Sequence, residues 1–116
     1  MDPGEQIDEL LDEYRAWRAY LRSRDGDPDA ARQFEREWRS YARRALGWRM
    51  SASEIEEVLS SFFARVYQRI GADFAWTAPF RIYLRTVLLN ESRSHLRRAV
   101  RRRRREVDLG RTRRRG

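Results

Sequence analysis

The chain has 116 residues, 41% hydrophobic and 12% aromatic, which is room for one small domain with a modest core and excludes two separately cored domains. It has no cysteine and one histidine, His95, which excludes disulfides, a thiolate nucleophile and a cysteine- or histidine-built metal site. All 26 basic residues are arginine, spread unevenly: residues 1 to 30 carry net −5, residues 31 to 80 net +2 and residues 81 to 116 net +11.

A basic end of this strength invites a polyanion, nucleic acid before an acidic membrane surface, because each neutralised phosphate releases counterions. Exclusive use of arginine is also what a GC-rich coding sequence produces. No apolar run approaches the roughly 20 residues of a membrane span. The acidic opening MDPGEQIDELLDE is the reverse of a signal peptide, so a soluble, cytoplasmic protein without a membrane partner is expected.

Three prolines and six glycines punctuate apolar residues that recur at helical spacing, which predicts an all-α bundle of about four helices. The first, from about Glu5 to Arg24, sets Ile7, Leu10, Leu11, Tyr14, Trp17 and Leu21 on one face, wide enough to need burial, and stops at Asp25 to Pro28. The second, from about Pro28 to Gly47, carries Phe34, Trp38, Tyr41 and Ala45 on one face and Arg32, Arg36, Arg39 and Arg43 on another, with Gly47 as a left-handed cap. The third opens with Ser53 and Glu56 as a capping box, buries Ile55, Val58, Leu59, Phe62, Phe63, Val66 and Ile70, and closes at Gly71. A connector, Gly71 to Ala78, holds Phe74 and Trp76. Pro79 then starts a helix burying Phe80, Tyr83, Leu84, Val87 and Leu88. Past Asn90 that stripe thins to Leu96 and Val100, and the helix leaves the core as an arginine-rich rod into residues 101 to 105. The expected organisation is an N-terminal amphipathic helix over 1–27, a helical domain over 28–105 and a disordered basic tail over 106–116.

No Ser-His-Asp combination or glycine-rich phosphate loop is visible, so no enzyme is expected. Arg93, Arg97 and Arg98 flank His95, which reads as facing solvent or phosphate. What remains is aromatics beside arginines, the pairing that holds single strands by stacking bases while a basic groove follows the backbone. Phe74, Trp76 and Phe80 stand next to Arg81, Arg85, Arg93, Arg97 and Arg98. Periodicity puts Phe80 in the core, whereas Phe74 and Trp76 fit either a core plug or a base-stacking surface.

The stretches SEIEEVLSSFFARVYQRI and FAWTAPFRIYLRTVLLNESRSHLRR resemble region 2 of bacterial sigma factors, particularly the extracytoplasmic-function (ECF) type. Phe63, Arg65 and Tyr67 match the family's V-F-x-R-x-W run, Phe74 its lone phenylalanine, and Phe80, Arg81, Tyr83 and Leu84 its F-R-x-W-L run. Asn90 falls on its asparagine, and Arg97 and Arg98 on its basic ending. The likeness covers about Asp29 to Arg105. It departs at Ser60 and Ser61, where the family carries Gln-Glu, and at Ser94, where it carries aspartate. The family's region 4 domain, a helix-turn-helix that binds the −35 element, is not expected within this chain.

The resemblance implies binding to the clamp helices of the large subunit of core RNA polymerase through Glu56, Glu57, Ser60, Ser61 and Arg65. It implies recognition and melting of the promoter −10 element, with a non-template base held by Phe74, Trp76, Thr77 and Asn90 and phosphates held by Arg81, Arg85, Arg93, Arg97 and Arg98. An anti-sigma factor is a further partner it admits. The first helix either packs on the bundle, the favoured reading, or shields the basic surface in cis. Two other functions stay open: an arginine-rich helical protein that binds nucleic acid non-specifically, and a sigma mimic that occupies the clamp and regulates initiation.

Overall fold

The computed structural model describes the backbone of residues 2–71 and 73–115 and the side chains of residues 2–71 and 73–110. Four helices account for the described secondary structure: α1, Pro3–Arg24; α2, Pro28–Leu46; α3, Ala52–Arg69; and α4, Phe80–Arg115. Their starts are written in side chains. Asp2 and Asp27 cap α1 and α2 by accepting backbone N–H groups, each with a proline in the first turn. The α1–α2 turn needs Gly26, whose φ is 101°, a left-handed conformation cheap only without a side chain.

Two expected boundary features are corrected. The capping box of α3 is Ser51 with Glu54, not Ser53 with Glu56: the Glu54 N–H donates to Ser51 Oγ at 3.2 Å, and the Ser51 N–H donates to Glu54 Oε1 at 3.2 Å. The run SASEIEE holds two overlapping boxes, and the earlier one wins because it leaves Glu56 free to pair with Arg39 at 2.9 Å and Arg43 at 3.6 Å on α2. Gly47 is right-handed (φ −64°, ψ −17°), not a left-handed cap. Glycine is required there because a Cβ would collide with the Arg43 carbonyl oxygen, which accepts the Gly47 N–H at 3.0 Å.

The core is the expected α3 face with Phe34 and Trp38 of α2 and Phe80, Leu84 and Leu88 of α4. Periodicity misses its centre. Tyr20 is fully buried, ringed by Phe34, Tyr67 and Phe80, and its hydroxyl lies 2.8 Å from the carbonyl oxygens of both Val66 and Ile70, where it closes the C-terminal end of α3. Burial pushes its phenol up to about 12, against the lowering influence of Arg24.

The α1 stripe is buried only in part. Trp17 and Leu21 pack on the core, but Ile7, Leu10, Leu11 and Tyr14 stay exposed, beside a start of α4 that presents Arg81, Arg85 and the half-exposed Ile82. The expected disordered tail is also replaced by helix. Arginine is a good helix former and no proline follows Pro79, so α4 continues to Arg115. Within the expected segments, Met1, Ala72, Gly116 and the side chains of residues 111–115 lie outside the described residues.

Candidate nucleic-acid interface

The connector is built from interlocking rings. Phe74 meets Trp76, Phe80 and Tyr83 edge-on at 5.3, 5.6 and 5.3 Å, so it is a plug that fixes the loop to α4. Trp76 lies further out, 36% exposed and edge-on to Trp17 of α1 at 5.6 Å. Its φ of 54° makes it the one non-glycine residue with positive φ among those described, a conformation costing about 1–3 kcal/mol that surrounding packing must sustain. Thr77 follows it, exposed. The buried indole N–H of Trp17 beside this loop has no acceptor among the described residues.

Asn90 is exposed on a different wall. It lines a cleft of about 210 Å³ between α3 and α4 with Arg65, Arg69, Tyr83 and Thr86. The structure therefore divides the expected four-residue pocket: Phe74, Trp76 and Thr77 stand at the connector and Asn90 in the cleft, with Tyr83 belonging to both. Tyr83, Thr86, Asn90, Arg93 and Arg97 follow at spacings of three or four and so share one face of α4. Thr86, Arg69 and Trp17 are additions that the sequence pattern did not single out. Thr86 was legible at i−4 from Asn90, whereas Trp17 reaches the loop only through tertiary packing.

The five arginines expected on phosphate fall into four placements. Arg81 is held by Glu13 of α1, its Nε donating to Oε1 at 2.7 Å and its backbone N–H to Oε2 at 2.8 Å. Arg85 stacks over the Tyr41 ring at 5.1 Å. Arg93 and Arg97 stand exposed on the Asn90 face, and Arg98 opens onto another groove, lined by Glu57, Ser61, His95 and Arg102 among others.

Of the α3 residues, Glu57, Ser60 and Ser61 face outward, while Glu56 is engaged by α2. Arg65 pairs at 2.5 Å with Glu91, a carboxylate whose side chain is only 8% exposed. Its first use is inside the fold, neutralising a charge too costly to bury alone.

His95 does not face solvent or phosphate. It is buried, with Nε2 3.4 Å from Glu54 and Nδ1 3.5 Å from Glu57. At i+4 from Glu91 it continues the core face of α4, so the stripe stays inward while changing from apolar to polar. The Ser51 backbone N–H and hydroxyl, with His95 behind them, hold the Glu54 carboxyl below its ordinary value. No metal-binding group of histidine and carboxylates occurs among the described residues, and no described helix is long and apolar enough to cross a membrane.

Compared with known family models, curated proteins and solved structures, the chain matches none.

Proposed function

We propose that this chain is a sigma-factor-like transcription initiation protein. It docks on core RNA polymerase through the outward residues Glu57, Ser60 and Ser61 of α3, and it reads and opens the promoter −10 element with the connector and the Asn90 face of α4. The observation that carries the reading is that face: an exposed side-chain amide at the mouth of a cleft, with Tyr83 and Thr86 before it and Arg93 and Arg97 after it. An amide both donates and accepts at a base edge, whereas the arginines hold phosphates and add affinity without sequence choice. Trp76, held outward in a strained conformation, offers a ring on which an extruded base stacks.

The test is binding of the purified chain to core RNA polymerase, followed by open-complex formation on promoter DNA pre-melted at the −10 region. Saturable binding with a preference among −10 sequences is expected, and Asn90→Ala should erase about 1–3 kcal/mol of that preference. Because Asn90 is exposed, the variant folds. Polymerase binding that depends on Glu57 but is indifferent to Trp76 and Asn90 would replace this reading with a clamp-occupying mimic.

A second reading rests on another observation: residues 97 to 105 hold seven arginines, all exposed. A run of this kind binds any nucleic acid by counterion release. Absence of polymerase binding, together with steeply salt-dependent binding to unrelated DNA and RNA that Asn90→Ala leaves unchanged, would favour it.

A further inference from the structure

Two helix segments project from the bundle with apolar side chains uncovered, and they are opposite in charge. The first is the N-terminal half of α1. Ile7, Leu10, Leu11 and Tyr14 are 59%, 60%, 44% and 49% exposed, and residues 2 to 13 hold six carboxylates and no arginine. The second is α4 beyond His95. Val100 and Val107 are 47% and 54% exposed, the first among the seven arginines of residues 97 to 105 and the second two residues beyond them. Ile7 and Tyr14 are seven residues apart, as are Val100 and Val107, so each pair marks one face of its helix at the same rise of about 10.5 Å.

These halves cannot meet within one chain. Glu13 fixes the free half of α1 to Arg81 at the start of α4, and Val100 lies 19 residues further along a continuous helix, about 28 Å away. Pairing two α4 projections would set arginine runs against each other. Nucleic acid would satisfy the arginines but repel the acidic half of α1 and leave its apolar residues open.

We propose that this protein self-associates, the arginine-rich projection of α4 from one copy seating along the acidic, apolar half of α1 of a second copy. The receiving surface is partly formed: a cleft of about 610 Å³ between α1 and the start of α4, with Leu10 and Ile82 on its walls, Glu9 and Asp12 as the carboxylates open to a partner, and Arg81, neutralised by Glu13, and Arg85 on the α4 side. Val100 and Val107 cover the apolar residues while the arginines flank the carboxylates. Two copies close reciprocally, each giving one α4 and receiving one. The contact is two short helical faces, so it is weak and populated at high protein concentration. Neither half contains the connector or Asn90, and of the residues used in the proposed function only Arg97 falls within one, so the inference does not rest on that function.

The test is sedimentation velocity on the nucleic-acid-free full chain across about 1–200 µM, at low salt and at about 0.5 M salt, where attraction between surface charges is screened. A dimer is expected at low salt, dissociating as salt rises. Leu10→Gln and Val100→Gln, both at exposed positions, should each weaken it at least tenfold. Each variant alone disables both reciprocal contacts, but a one-to-one mixture restores one of them, because intact α4 of the first then meets intact α1 of the second. Recovery of dimer on mixing is the specific signature. A chain that stays monomeric at the highest concentration and low salt overturns the proposal. So does a dimer indifferent to both substitutions, or one that mixing fails to restore.

Discussion

The two halves of α4 are one helix under two regimes. From Phe80 to His95 one face is buried, apolar at Phe80, Leu84 and Leu88 and polar at Glu91, Ser92 and His95, where each side chain has a partner. From residue 100 to 110 every described residue is exposed. The first half is helical because packing demands it; the second is helical because arginine tolerates it. A substitution should therefore be costly in the first and nearly silent in the second, although the backbone conformation is the same.

The sharpest way to break this contrast is Leu84→Ala against Val107→Ala. Leu84 is fully buried, so its truncation should cost about 2–5 kcal/mol in urea unfolding, while Val107→Ala should stay within about 0.5 kcal/mol. Equal effects would mean the projection is packed in solution. Next, Arg65→Ala should cost about 1–3 kcal/mol by stranding the Glu91 carboxylate, and Arg103→Ala should cost almost nothing.

A smaller effect tests α1, which divides in the same way. Tyr20→Phe should cost about 0.5–1.5 kcal/mol through the lost hydroxyl contacts at the end of α3. Its pH dependence follows from a raised value. The unfolded phenol ionises near 10 while the folded one resists to about 12, so this contribution is intact below pH 10 and is lost as pH rises towards 12. The chain has neither lysine nor cysteine, so tyrosinate absorbance near 295 nm read beside circular dichroism should show a late ionisation coincident with unfolding, reduced in amplitude but not abolished in Tyr20→Phe, because burial also raises the Tyr67 phenol.

The smallest effect concerns the junction where α4 leaves the bundle. Ser51→Ala should cost about 1 kcal/mol and Ser53→Ala much less, which distinguishes the two overlapping capping boxes. Because Glu54 titrates below its ordinary value of 4.5 when folded, its contribution is present above that pH and is lost as pH falls through the lower folded value. Glu54→Gln should flatten that acid limb of the stability curve.

Helix number and the α3 face were legible because each rests on periodicity or on punctuation by glycine and proline; the length of α4 was not, because its apolar stripe thins past Asn90 and the arginine run continues as helix without it. Tyr20 was hidden because Trp17 and Leu21 already fill the stripe beside it, and only the tertiary position of the α3 carbonyls gives its hydroxyl a use. His95 was misread because a charged neighbourhood in sequence suggests a solvated face, but the carboxylates beside it, Glu54 and Glu57, arrive from α3. Asn90 was singled out through the family resemblance, and the face it shares with Tyr83, Thr86, Arg93 and Arg97 follows from their spacing on α4. That Phe74 and Asn90 stand on different walls was not legible, since it depends on how the connector folds back onto α4.

The continuity of α4 through His95 has a mechanical consequence. With no proline or bulge between the buried polar cluster and residue 110, the projecting arginines move as the end of a lever whose fulcrum is His95 between Glu54 and Glu57. The arm beyond it is 15 residues, about 22 Å, so a tilt of about 10° at the fulcrum displaces residue 110 by about 4 Å. Any tilt of the helix where it leaves the bundle is therefore amplified along the arginine stripe.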